Sequence, residues 1–359
     1  MTTLPRISLS GTNYQIGYNH GSSLKIQIAG QLESYYEMFQ NSSKLDREGV
    51  HRRAREYETT ILKLVPHLHE EIVGIAEGAG VDVLDIIALN VRSEIVLGEF
   101  QDGCTSIGWK VRDENGKSIQ YLAQNWDWVR PVQQNLAFVE IKQEGKPTIK
   151  MITEAGIVGK IGYNSASVAV LLNALRASPT DATKLPIHIL LRLCLESKSA
   201  SEALSQIEEY GAASAQHILL GDMSGAQCLE LSPIKNHYIS PNDDNFLAHT
   251  NHSIENTAIK EPSEFPGSRE RLARTYEIVK TINPKTLSPQ RLRETIFNDG
   301  ENGGFSICAL ENACNPKWIR IMTLFNIVIC LKEGCEPTAE VVLSNDSTDW
   351  IDPKNVLHL

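Results

Sequence analysis

No apolar run in this 359-residue chain approaches the ~20 residues of a membrane-spanning helix. The start, 1-MTTLPRISLSGTNYQIG-17, also lacks the basic segment and apolar core of a secretory signal, so an intracellular, non-membrane protein is expected. Positive charge is scarce: 34 Lys and Arg stand against 44 Asp and Glu, a net charge of −10. The densest basic group, 52-RRAR-55, alternates with acids on a helical pattern, which argues against nucleic acid or an anionic membrane surface as a partner. Cysteine pairing signals are missing as well. The seven cysteines (104, 194, 228, 308, 314, 330, 335) are odd in number, form no C-x-x-C pair and sit in apolar segments, as a reducing compartment permits. There is no P-loop, no G-x-G-x-x-G after a strand and no H-E-x-x-H. His249 and His252, in 249-HTNH-252, have no third ligand nearby in sequence, so they are read as loop supports and no metal is expected.

What is present is an ordinary globular composition, 42% hydrophobic and 22% charged. Residues 12–100 read as helical, with apolar residues at helical spacing in 23-SLKIQIAGQLESYYEMF-39, 47-REGVHRRAREYETTILKL-64 and 69-HEEIVGIAEGAG-80. After Asp102 the period changes. Short β-rich runs at 105–111, 118–128, 135–141, 148–153 and 168–175 predict antiparallel strands. Helices are predicted over 185–197 and 199–211, strands over 216–222, 226–232 and 245–250, helix again over 267–298, and strands over 318–331 and 338–345. Blocks of strands and helices, rather than alternating β-α-β units, predict a layered α+β fold with no internal repeat or linker.

The change of period falls at 102-DGCTS-106. Gly103 carries no Cβ, so the Gly103–Cys104 peptide tolerates strain that a larger residue would resist. Attack of the Cys104 thiol on its own preceding carbonyl, followed by hydrolysis, would free Cys104 as a new chain end. Its α-amino group, with an ordinary pKa of ~8, could then serve as general base for its own thiol. The tripeptide alone is equally a turn followed by a buried residue.

The wider pattern of 14-YQIGYNHGS-22, 102-DGCTS-106, 124-QNWDW-128, 152-ITEAGIVGKIGYNSA-166, 249-HTNH-252, 304-GFSIC-308 and 323-TLFNIV-328 is similar to that of the acyl-coenzyme A:6-aminopenicillanic acid acyltransferase (isopenicillin N acyltransferase) family of cysteine N-terminal-nucleophile (Ntn) hydrolases. The resemblance implies a four-layer αββα sandwich. It implies a precursor cut between Gly103 and Cys104 into an α chain (1–103, mostly helical) and a β chain (104–359, the catalytic core) that stay together as one globular domain. It casts Cys104 as nucleophile, Thr105 as its positioning neighbour, Asp127 as the acid beside it and Asn251 as oxyanion donor. Ser232 and Ser306 resemble serines associated with maturation or activity, and Gly162 and Asn164 match a stretch expected to shape the floor of the site.

The resemblance also implies an Arg directly after the S-I-C triplet, where this chain has Ala309. A guanidinium there would pair with a substrate carboxylate, an anchor of about 1.5–3 kcal/mol. Three functions stand. One is acyl transfer from an acyl-CoA, such as a phenylacetyl-CoA-like donor, to 6-aminopenicillanic acid or isopenicillin N, with acyl-CoA as substrate and no cofactor. The second, which Ala309 favours, is hydrolysis of another N-acyl amine or small amide. The third is an uncut, inactive paralogue. Arg176 and Lys160 are candidate cations for CoA phosphates, and Leu357-His358-Leu359 half resembles a peroxisomal tripeptide.

Overall fold

The computed structural model describes residues 4–96, 103–261, 267–301, 306–311, 314–344 and 352–359. The helical pattern of the first hundred residues resolves into α1 (Asn13–Ser23), α2 (Lys25–Ser42), α3 (Arg47–Leu64), α4 (Pro66–Ala79), α5 (Val83–Asn90) and α6 (Arg92–Val96), preceded by a strand, β1 (Arg6–Ser10). Local chemistry sets several of these ends. Thr12 and Gln15 form a reciprocal capping box at the start of α1, and α4 opens on Pro66 and stops at Gly80 in the left-handed region (φ 72°). Helices α1 and α4 touch backbone to backbone. A Cβ on Gly17 would lie 1.9 Å from the Glu71 carbonyl oxygen, and one on Gly74 would lie 2.3 Å from that of Tyr14.

Beyond Cys104 the chain runs through β2 (Thr105–Arg112), β3 (Ser118–Val129), β4 (Leu136–Lys142), β5 (Ile149–Glu154), β6 (Ile161–Asn164) and β7 (Ala169–Ala174). Helices α7 (Ile187–Glu196) and α8 (Ala200–Tyr210) follow, then β8 (Gln216–Asp222), β9 (Gly225–Leu231), β10 (His237–Ile239) and β11 (Phe246–His249). Helix α9 (Ser268–Val279) and the short α10 (Pro289–Leu292), which widens into a π turn at Arg293–Phe297, precede β12 (Ile321–Lys332), β13 (Thr338–Leu343) and β14 (Leu357–His358). The helix expected over 267–298 is interrupted because Pro284 and Pro289 lack the N–H groups that would continue it. Strands β1, β6, β10 and β14 escape the periodicity because they are at most five residues long, too short for alternation to register.

Two sheets result, ordered β1-β4-β5-β6-β7-β8-β9-β10 and β11-β2-β3-β12-β13-β14. Every pairing is antiparallel except β1 with β4. The sheets stack face to face: Ser106 Oγ donates to Asn173 Oδ1 (2.7 Å) and Gln124 Nε2 to the Leu172 carbonyl (2.6 Å) across the interface. Helices α1–α8 pack outside the first sheet. The outer face of the second, with Ile107, Trp109 and Tyr121, is covered by residues of α9, α10 and the π turn such as Ile278, Leu292 and Phe297. The layers therefore read α-β-β-α, as expected. Among the described residues, no helix is long and apolar enough to cross a membrane.

Candidate active site

Strand alternation decides what each residue near Cys104 can face. Ser106 and Gly108 point inward to the first sheet, while Ile107 and Trp109 point outward to α9 and α10. By parity the Cys104 side chain is inward and that of Thr105 outward. Cys104 is 1% exposed, and its thiol donates to the Asp127 carbonyl oxygen at 3.6 Å. The register of β2 with β3, in which Thr105 opposes Asn125, brings Cys104 level with Trp126 and Gly103 level with Asp127. The register of β2 with β11 ends with His249 opposite Ser106, so the loop that carries Asn251 leaves β11 at the Cys104 end of β2.

Gly103 lies against the carboxylate of Asp127. A Cβ built on it would be 2.6 Å from Asp127 Oδ2, so close approach demands glycine here whatever its backbone torsions. Asp127 is fully buried, and its Oδ1 accepts a hydrogen bond from Thr323 Oγ1 (2.7 Å). That hydroxyl also accepts from the Ala309 N–H (3.0 Å). A carboxylate thus flanks the Gly103–Cys104 peptide, positioned to hold an ammonium formed at the Cys104 nitrogen.

Asn251 is buried, and its amide has a defined orientation. Arg271 Nη2, which can only donate, bonds Oδ1 at 2.8 Å, so Nδ2 must be the atom that faces the Ala174 carbonyl at 3.1 Å. One Nδ2 hydrogen is committed to Ala174. The second has no partner among the described residues and is available to a developing oxyanion.

Behind Cys104 lies a buried charged cluster. Lys160 Nζ and Arg92 Nη2 both bond Glu154 Oε2 (2.8 Å each), and Tyr35 Oη donates to Glu154 Oε1. Lys160 Nζ also sits 4.3 Å from the centre of the Trp126 ring. Burial works against the charge on Glu154, but Arg92 and Lys160 hold it far below the carboxylate range. Burial and the same two cations keep His188 neutral.

The remaining expected residues fall into two groups. Ser306 is close to the Asp127 side of the sheet: its Oγ donates to the Cys308 carbonyl, and the adjacent Ile307 carbonyl accepts from Asn125 Nδ2 (3.0 Å). Residues 304–305 of that motif, like Asp102, lie outside the described residues. The Thr105 hydroxyl is buried on the outward face, without a hydrogen-bond partner among the described residues. Ser232 is in a turn after β9, donating to the Lys235 carbonyl and accepting from the N–H groups of Ile234 and Lys235, with no contact to Cys104. Gly162 lies mid-sheet against the Lys150 carbonyl and Met151, because a Cβ would collide with both. Asn164 ties the β6–β7 turn to the end of α7, donating to the Leu195 and Ser197 carbonyls and accepting from Ala166 and Val168. The structure thus places Ser232, Gly162 and Asn164 in structural contacts rather than around the thiol. Lys160 is buried in an ion pair, unlike a surface cation for phosphates, whereas Arg176 is half-buried just past the end of β7.

Sequence reasoning missed Arg271, Thr323, Glu154 and Arg92. Thr323 and Glu154 had a signal, since each is a polar residue inside an apolar strand. Arg271 on α9 had none. His249 bonds Glu230 Oε1 and His252 bonds Ser268 Oγ, so the pair braces the loop that carries Asn251. Among the described residues no cluster suits a metal ion. A cavity of about 780 Å³, lined by Lys110, Arg112, Gln120 and Ser224 among others, opens at the far end of β2 from Cys104 and is not part of this site.

Residues 111–345 match the family described as acyl-coenzyme A:6-aminopenicillanic acid acyl-transferase. Over 327 residues the chain is 37% identical to the acyl-coenzyme A:6-aminopenicillanic-acid-acyltransferase 40 kDa form of Emericella nidulans, covering 90% of this chain and 88% of that protein. Among solved structures it is similar to a Caenorhabditis elegans N-acylethanolamine-hydrolyzing acid amidase ortholog (TM-score 0.43, 14% identity, 71% of this chain and 100% of that one). It is also similar to penicillin V acylase from Agrobacterium tumefaciens (TM-score 0.42, 14% identity, 66% of this chain and 83% of that one).

Proposed function

The chain belongs to the acyl-coenzyme A:6-aminopenicillanic acid acyltransferase family, and from that premise we propose that it is a self-processing enzyme of acyl transfer whose nucleophile is Cys104. In the first step Cys104 Sγ bonds to the Gly103 carbonyl carbon. The C–N bond breaks, and the nitrogen takes up the proton that left sulfur. Water then cleaves the thioester, leaving a Gly103 carboxylate and a free Cys104 thiol and amine. In turnover the thiol attacks an acyl donor and expels its leaving group, CoA thiol or an amine. The α-amine of Cys104 carries the proton, and Asp127 holds that amine in its charged form. The second Nδ2 hydrogen of Asn251, with a backbone N–H, meets the oxyanion. An amine acceptor or water resolves the acyl-cysteine.

The observation that supports this reading most is the approach of Asp127 to Gly103 at the end of β2 beside which the Asn251 loop leaves β11. The donor and acceptor proposed are an acyl-CoA and 6-aminopenicillanic acid or isopenicillin N, with no other cofactor. Hydrolysis of another N-acyl amine is the second reading. It is supported by Ala309, a buried residue whose backbone N–H bonds Thr323 Oγ1, in the place where a guanidinium would anchor a carboxylate. An uncut paralogue is disfavoured by the same burial that encloses the thiol, since a closed Cys104 has no use as a surface for binding. The peroxisomal address would require β14 to unpair from β13, because Leu357 and His358 are in that ladder.

Mass spectrometry of the purified protein tests processing: a fragment beginning at Cys104 is expected, and an active chain intact at 39.9 kDa overturns the reading. Cys104→Ala should abolish both splitting and turnover. Supplying 6-aminopenicillanic acid with an acyl-CoA separates the two substrate readings, since acylated product with free CoA supports transfer and free acid alone supports hydrolysis.

A further inference from the structure

Self-cleavage leaves one requirement unmet. Before the bond is cut, the Cys104 nitrogen is an amide whose lone pair is delocalised into the Gly103 carbonyl and cannot act as base, yet the thiol must lose its proton to attack. We propose that Lys160, fixed in the core behind Trp126, supplies the positive charge that favours the Cys104 thiolate in the uncut precursor. This rests on the self-cleavage reading above.

The geometry is specific. Lys160 lies just before β6 and is 1% exposed. Its ammonium carries three N–H groups but has one hydrogen-bond partner among the described residues, Glu154 Oε2, which Arg92 also occupies. Glu154 is therefore shared between two cations. Trp126, whose ring Lys160 faces, is level with Cys104 and on the same inward side of β3. The groups facing Lys160 come from five elements: Arg92 on α6, Glu154 on β5, Tyr35 on α2, His188 on α7 and Cys104 at the head of β2. His188 is neutral and Tyr35 keeps its proton, so neither adds a charge beside Lys160. Burial, reinforced by Arg92, pushes the Lys160 ammonium down to about 8, while Glu154 and negative charge on Cys104 pull it up. The cation is thus present below about pH 8 and is lost as the pH rises through it.

Lys160 makes and breaks no bond in this scheme. The proton leaving Sγ ends on the nitrogen released from the peptide, and Lys160 acts through its field as a positioning residue.

The test is cell-free synthesis of the full chain as wild type, Lys160→Met and Lys160→Arg, with splitting followed on gels on both sides of pH 8. Folding of each is checked by thermal melting in a Cys104→Ala background. The Met variant is expected to split roughly tenfold or more slowly at neutral pH, the effect of removing one close opposite charge from a thiolate. The Arg variant keeps its charge at all these pH values, so its rate relative to wild type should climb as the pH passes 8. A Met variant that folds and splits at the wild-type rate overturns the proposal. If the Met variant does not fold, the Arg comparison decides: a ratio that stays flat through pH 8 overturns it and a climbing one supports it. Wild type that never splits refutes the cleavage reading itself, whereas splitting that needs Cys104 but not Lys160 refutes only this inference.

Discussion

Replacing Gly103 by alanine adds one methyl group at the bond proposed to break. The new Cβ would lie 2.6 Å from Asp127 Oδ2 and 3.1 Å from Asp127 Cβ, where an ordinary contact begins at 3.4 Å. Asp127 has little freedom to retreat, because it is fully buried and its other oxygen is held by Thr323 Oγ1 at 2.7 Å. The chain must therefore shift at residue 103, by a distance on the order of 1 Å. Overpacking of this kind costs about 1–3 kcal/mol. At a reacting bond, a misplacement on the order of 1 Å costs up to about 100-fold in rate. Gly103→Ala is thus expected to slow splitting by one to two orders of magnitude, while the melting temperature of the same variant in a Cys104→Ala background falls by only several degrees, in line with that cost. The assay is the fraction of full-length chain remaining on a gel over time. Splitting of Gly103→Ala at the wild-type rate would refute the claim that the approach of Asp127 to this peptide sets its geometry.

Two further outcomes follow from buried charge. Arg192 on α7 bonds both carboxylate oxygens of Glu71 on α4 (2.7 Å each), and both side chains are enclosed; Arg192→Met leaves Glu71 buried and unpaired and should cost about 3–5 kcal/mol by urea unfolding, most of it recovered in Arg192→Met/Glu71→Gln. Stability should also fall with acid in two stages, which denaturant titrations at stepped pH would resolve. Burial, with Arg192 and Arg269 respectively, lowers His20 and His252 from 6.5 to about 4, so the unfolded chain takes up these protons first and stability declines as the pH drops from 6.5 towards 4. Burial opposes the charges on Glu196 and Glu230, but His67 (3.5 Å away) and Arg192 beside the first, and a hydrogen bond from His249 to the second, lower both to about 2 from 4.5, which adds a second loss between 4.5 and 2. A stability flat from pH 7 to 4 would contradict the assignment of neutral buried histidines.

The α and β blocks and the place of Cys104 at their junction were legible in periodicity, whose switch from helical to alternating spacing falls within a few residues of the head of β2, whereas the αββα order was what the family resemblance implied. Glycine breaks after the early helices were legible too, although the glycines of 14-YQIGYNHGS-22 seat α1 on α4. Pairing partners were not. Nothing local marks Arg271 as the group that orients Asn251, since the two are 20 positions apart and meet only when α9 covers the second sheet. Gly162 and Asn164 show the converse: both sit in a stretch shared with the family, and strand spacing and a hairpin turn account for them. Thr105 adjoins the nucleophile in sequence, but a strand puts neighbours on opposite faces, so adjacency and proximity to the thiol part company there.

Enclosure of the thiol bears on the order of events. At 1% exposure, Cys104 in the single chain is closed to bulk reactants, while the Gly103 carbonyl is bonded to its own nitrogen. An external donor competes poorly with an intramolecular one whose effective concentration can exceed about 10⁵ M. On the proposed reading the first acyl transfer is to the enzyme itself, and it creates the amine that later turnovers would use as base. The contacts that join the two segments do not depend on the bond that is cut. Arg192–Glu71, Arg92–Glu154, the Asn90 bonds to Gly156 and Val158, and the β1–β4 ladder all cross between residues before and after the break. Cleavage on this view changes the chemistry at Cys104 and leaves the sandwich that positions it intact.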